Sequence, residues 1–196
     1  MSNPNHTPQE KEYLDTARTA KLVRGALKRA FLGTKFSVRS NVYSGGSSID
    51  VTWTGGPGDT EVKKALRGYE GAAFDGMIDL KHYSTSWLLP DGSATAAQSY
   101  GTEGSHGSHP PYDYPKPHPD ARLVHMGADF IFTSRSQSAE EIAAIVGKGE
   151  CPQCHAPLIR NKSMTGWWQC ACYPSPERRE GKYQAWAPCS FQIFEK

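Results

Sequence analysis

Five cysteines, Cys151, Cys154, Cys170, Cys172 and Cys189, all follow residue 150. Cys151-Pro-Gln-Cys154 is a C-x-x-C knuckle, a tight turn that aims two thiolates at one ion while backbone amides offset their charge. An odd number of thiols gathered in one segment suits a metal site better than a disulfide framework. The expected metal is Zn2+, held by four of the five, with Cys172 or Cys189 as the fourth ligand. So many thiols describe a closed structural site, since a catalytic zinc keeps a position open for water. Short strands are expected over Pro157–Arg160 and Gly166–Cys170, with Trp167 and Trp168 as their cover and a returning strand within Tyr183–Phe194. A unit this small buries too little apolar surface to fold alone, so the metal would supply much of its folding free energy.

A second group with chemical potential is basic. Arg18, Lys21, Arg24, Lys28 and Arg29 fall on one arc of a helix, and Lys35 and Arg39 carry the charge onto the following strand. No acid interrupts the run, which makes it a candidate contact surface for phosphate or for a partner. Catalytic groups are harder to find. Asp75 and Asp79 could act as a carboxylate pair, but they suit turn and strand-surface positions better. His106, His109 and His118 sit at no ligand spacing, and neither they nor His82 match a catalytic pattern. There is no Walker loop, nucleophile elbow or H-E-x-x-H helix. The chain reads as not an enzyme, with no small-molecule substrate evident.

These groups need elements to hold them. Ala20, Val23, Leu27, Ala30 and Phe31 repeat at helical spacing, which predicts a helix from about Glu10 or Asp15 to Phe31, with Gly33 as C-cap. Alternation in Phe36–Arg39 and in Ile49–Thr54 predicts a β-hairpin turning through Ser44-Gly45-Gly46-Ser47. Asp59 or Thr60 is expected to cap a second helix carrying Val62, Ala65, Leu66 and Tyr69 and ending at Gly71. Phe74–Leu80 reads as a turn into a third strand, and Leu123–Phe132 as one or two further strands. Ser138-Ala139-Glu140-Glu141 is a capping box opening a short helix that ends at Gly147. Residues 90–120, rich in Pro, Gly, Ser, His and Tyr, read as a functional or mobile loop. Tyr112 and Tyr114 suit a partner surface there.

The expected fold class is α+β: a small antiparallel sheet with a central hairpin packed by two or three helices, plus a C-terminal zinc ribbon. Residues 1–14 are taken as a flexible arm, 15–147 as the α+β domain and 148–196 as the zinc module. The formal net charge of +2 argues against a polyanionic DNA mimic. No run of eighteen apolar residues exists and the N-terminus lacks an apolar signal core, so a cytoplasmic protein with no membrane partner is the expectation.

Two resemblances stand beside this reading. CPQC with the following Pro157-Leu158-Ile159-Arg160, the aromatic before Cys170 and Tyr173-Pro174 resemble the topoisomerase-type zinc ribbon. That family has a further cysteine soon after Tyr-Pro, and residues 175–181 carry none. Lys35-Phe36-Ser37-Val38-Arg39, the run Ser44-Gly45-Gly46-x-Ser48-Ile49-Asp50-Val51-x-Trp53, Phe74-Asp75-Gly76-Met77-x-Asp79 and Gly127-Ala128-Asp129-Phe130-Ile131-Phe132 are similar to the large polyvalent protein associated domain numbered twenty-nine, over roughly residues 15–136. This resemblance implies a phage or conjugative-element context. The implied function is a non-enzymatic binding protein that engages a host nucleic acid or nucleoprotein, as an inhibitor of anti-CRISPR or anti-restriction type. The alternatives are a direct DNA- or RNA-binding accessory protein and a nucleic-acid-modifying enzyme. In the motif, Asp50 is expected to cap the hairpin and Trp53 to anchor the core.

Overall fold

The first helix, α1 (Thr16–Ala30), begins where Asp15 accepts a hydrogen bond from the Arg18 amide at 2.6 Å, which satisfies one of the free amides of the first turn. The computed structural model describes residues 10–76, 79–99, 101, 111–152, 155–171 and 191–195. Val23, Ala26 and Leu27 are buried along one stripe of α1, whereas Ala30, expected inward, is exposed. That stripe packs on the hairpin of β2 (Phe36–Tyr43) and β3 (Gly46–Thr54), whose inner face carries Val38, Ile49, Val51 and Trp53. The hairpin turns on Ser44 and Gly45 alone, since Tyr43 already pairs with Gly46. Gly45 supplies the positive φ, +88°, that this two-residue turn requires.

The α+β class holds, but the sheets differ from the expectation. β9 (Phe130–Ser136) lies parallel to β3 on the side away from β2, so the hairpin sheet is mixed rather than antiparallel. Joining strands in parallel needs a long crossover, and the crossover here contains five of the six strands of a second sheet. That sheet centres on β5 (Leu80–Leu88). β6 (Ala94–Ser99) runs along one edge of β5. β4 (Ala72–Asp75) and β8 (Arg122–His125) share the other edge end to end. β7 (Tyr112–Asp113) pairs outside β6, and β1 (Glu12–Tyr13) outside β8.

Four sequence expectations change. The stretch 90–120 is not one loop, because β6 and β7 lie in it. The arm 1–14 ends in a strand: β1 pairs in parallel with β8 and the Leu14 amide donates to the His125 carbonyl at 3.0 Å. The cap of α2 (Asp59–Leu66) is Gly58, whose amide donates to Glu61 at 2.8 Å, and Asp59 instead pairs with Lys63 at 2.7 Å. A 3-10 turn (Arg67–Tyr69) then buries Tyr69 in the main core. Along β8, Val124 belongs to that core and Leu123 to a smaller one with Trp87, Ala97 and Ala121 on the opposite face.

The chain divides into two units, Met1–Ser136 and Gln137–Lys196. In the second, Ser138 and Glu141 form the expected capping box at the start of α3 (Ala139–Lys148). The helix closes at Gly149 (φ +67°) and not at Gly147. α3 is therefore grouped with the cysteine segment, not with the residues before it. β10 (Leu158–Arg160), β11 (Trp167–Cys170) and β12 (Gln192–Phe194) form a three-stranded antiparallel sheet.

Candidate nucleic-acid interface

The basic residues that look like one arc in the sequence take different places. Arg18 is ion-paired with Glu12 at 3.1 Å, and Glu12 also holds Arg122. Arg29 leaves the stripe: its guanidinium lies beside Gly92 and its charge acts on Tyr69 and Asp91. Lys35 lines an open hollow of about 720 Å3 with Thr34, Phe36, Thr52 and Trp53. Arg39 is exposed on the outer face of β2, opposite Asp50.

Lys21, Arg24 and Lys28 remain together. They repeat at i, i+3 and i+7, so helical geometry sets them one above another. All three are exposed and none has an ion pair among the described residues. Arg24 Nη2 donates to the Val38 carbonyl at 2.7 Å, which ties the ridge to the free edge of β2. A cationic ridge beside an unpaired strand edge can accept phosphates or a polar peptide backbone.

The glycine- and serine-rich motif does structural work. The Asp129 carboxylate is buried and accepts the Ser47 amide at 3.1 Å. The Asp129 amide returns a bond to the Ser47 carbonyl at 3.0 Å. Ser47 Oγ donates to the Gly127 carbonyl at 2.5 Å. A Cβ on Gly46 would overlap the Asp129 carboxylate, so glycine is needed there. Lys81 closes the group, with Nζ 3.2 Å from Asp129 and 3.2 Å from the Gly45 carbonyl. The Tyr83 hydroxyl first, and Asp129 after it, hold the Lys81 ammonium above the usual lysine range, so it is charged at neutral pH. The hairpin is thus capped by Asp129 and not by Asp50, which accepts from Asn41 across the strands at 2.6 Å. Trp53 is buried, donates to the Pro57 carbonyl and packs on Phe36. Asp129 and Lys81 could not be read as partners of Ser47 from sequence, because they lie far along the chain. The only signal was that GAD and GGSS occur in one motif set.

The other candidates are dispersed. Asp75 is buried at the end of β4, whereas Asp79 is exposed at φ +53° in the turn. His82 is buried on β5 opposite Ala73. His118 Nδ1 accepts the Asp120 amide at 3.1 Å within its own turn. Tyr112 and Tyr114 stack at 5.2 Å. His106 and His109 lie outside the described residues.

In the second unit, Cys151 and Cys170 are both buried and share a small core with Leu158. Cys170 is paired with Leu158 across the sheet, and the His155 amide donates to the Cys151 carbonyl at 2.9 Å. Cys154, Cys172 and Cys189 lie outside the described residues. Among the described residues no three metal-ligating side chains gather.

No helix among the described residues is long and apolar enough to cross a membrane. No curated protein and no solved structure matches the chain. A family model matches residues 14–138, which take in α1, the hairpin, the Ser47–Asp129 cluster and β9, and tie the chain to proteins of phages and other mobile elements. The chain belongs to the large polyvalent protein associated domain 29 family.

Proposed function

We propose that this is a non-enzymatic binding protein of a mobile genetic element that engages a host nucleic acid or nucleoprotein. The observation that carries this is the exposed ridge of Lys21, Arg24 and Lys28, free of ion pairs among the described residues. The family context supports it. Within that reading the protein works in the host cytoplasm as an inhibitor of host defence, of anti-CRISPR or anti-restriction type. The cysteine segment is a structural zinc ribbon that presents a second surface.

The test is binding to short DNA and RNA across a salt series. Phosphate contacts release counterions, so affinity should fall steeply between about 50 and 200 mM salt. The Lys21→Glu/Arg24→Glu/Lys28→Glu variant should lose binding. The Lys21→Glu/Lys28→Glu variant keeps the Arg24–Val38 hydrogen bond and should flatten the salt slope by about two. Wild-type affinity in the triple variant would refute the ridge. Absence of binding at low salt would point to a protein target.

A further inference from the structure

A second surface lies on the larger sheet, on the face away from the main core. Tyr13 of β1 stands in register with His125 of β8, their rings 5.5 Å apart. His125 meets Tyr83 of β5 edge-on at 5.7 Å. His125 Nδ1 lies 3.0 Å from the Ser84 carbonyl, which fixes the ring between the two tyrosines. The two phenol rings are nevertheless open to solvent, Tyr13 at 66% and Tyr83 at 54%. A cation sits over each: Lys11 Nζ is 4.7 Å from the Tyr13 centroid and Lys81 Nζ is 4.9 Å from that of Tyr83. Three adjacent strands thus place three rings in a row with an ammonium at either end.

The charge around the row is one-sided. Glu12, the neighbouring acid on β1, alternates to the other face, where it pairs with Arg18 and Arg122. Asp129 is buried and already bonded to Ser47 and Lys81. Among the described residues no carboxylate stands between the three rings, and the exposed acid nearest β5 along the chain is Asp79, in the turn before Lys81. Exposed rings with interleaved cations hold single strands, because any base can stack on an aromatic face while the phosphates meet the ammonium groups. Duplex DNA keeps its bases stacked inside and offers these rings nothing.

We propose that Lys11, Tyr13, His125, Tyr83 and Lys81 form a stacking surface for single-stranded nucleic acid. This rests on the reading that the target of the basic ridge is nucleic acid. The experiment is anisotropy of the full chain with a labelled oligothymidylate, an oligouridylate and a DNA duplex. Single strands should bind more tightly than the duplex. Tyr13→Leu/Tyr83→Leu should weaken single-strand binding by roughly tenfold per ring and leave duplex binding and the salt slope unchanged. Tyr13→Phe/Tyr83→Phe keeps the phenyl faces and should retain more single-strand binding than the leucine variant. Both tyrosines are exposed, and a thermal melt checks that the variants stay folded. Unchanged single-strand binding in the leucine variant, or a preference for duplex, would overturn the proposal. If the leucine variant is unaffected while Lys21→Glu/Lys28→Glu loses binding, the stacking surface fails and the ridge stands; the reverse pattern removes the ridge alone. No binding of any of the three probes by the wild type would overturn the stacking surface and point the ridge to a protein target.

Discussion

On the proposed zinc-ribbon reading, a chelator should unfold the Gln137–Lys196 unit while Met1–Ser136 stays folded. The described core of the second unit is small: Cys151, Leu158 and Cys170 are its buried centre, with Ile145, Ala156, Trp168 and Phe191 around them. No residue of α3 is fully buried. On the proposed reading, a metal crosslink adds to this described core, which also has the buried Ile193 of β12, what its strands need to fold. A structural zinc contributes about 10–16 kcal/mol in peptides of this kind, far more than the apolar contacts can. The expected result is one zinc per chain and, on chelation, loss of the near-ultraviolet signal of Trp167 and Trp168 with a separate, unshifted melt for the first unit. Cys151→Ser should behave like the chelated protein. Comparing zinc content in Cys172→Ser and Cys189→Ser identifies the fourth ligand. A metal-free protein whose second unit melts identically with and without chelator would refute the site.

The second large effect is expected from one methyl group. Gly127 lies in the connection between β8 and β9. Its carbonyl accepts from Thr16 Oγ1 at 2.8 Å and its amide donates to Thr19 Oγ1 at 3.0 Å. The start of α1 is therefore pressed against it. A Cβ at Gly127 would overlap the Leu14 carbonyl oxygen, the Asp15 carbonyl carbon and the Thr16 amide. All of these are backbone, so no side chain can swing away, and α1 itself would have to move. Gly127→Ala should destabilise the first unit by about 3 kcal/mol or more, seen as a melting temperature lower by about 10 °C. Gly147→Ala is the control. It lies in α3 with nothing near its Cβ position, and should be neutral or stabilise by about 0.5–1 kcal/mol through helix propensity. Equal melts for wild type and Gly127→Ala would show that this close approach is not needed.

Local pattern was readable in this sequence, and long-range pairing was not. The spacing of Val23 and Leu27, the alternation through Val51 and Trp53, and the Ser138–Glu141 box each depend on residues a few positions apart, and each element formed over the residues expected, α3 alone running past its expected end. β6 was missed because Ala94-Thr95-Ala96-Ala97-Gln98-Ser99 has little strand propensity. Tertiary context decides instead, since Ala97 is fully buried beside Trp87 and small size is what fits there. The parallel placement of β9 was illegible for a related reason: nothing local in Phe130–Ser136 names β3 as its neighbour. In the candidate site, the charge run named the right helix. It could not show that Glu12 neutralises Arg18 or that Arg29 turns to Gly92, because those partners are set by β1 and by the β5–β6 turn. The aromatic row was hidden entirely, since Tyr13, Tyr83 and His125 meet only once β1, β8 and β5 are adjacent.

The threading of β9 beside β3, and of β1 beside β8, also governs when the molecule can fold. Glu12 waits for Val124, Ile49 for Ile131, and Thr19 bonds a residue 108 positions later. Loop closure on this scale precedes the contacts that reward it, which slows folding. On the ribosome, α1 and the hairpin emerge early and cover part of each other's apolar faces, and within the first unit the β8–β9 segment that completes both sheets arrives last. Neither sheet of the nascent first unit can be completed before the β8–β9 segment has left the exit tunnel.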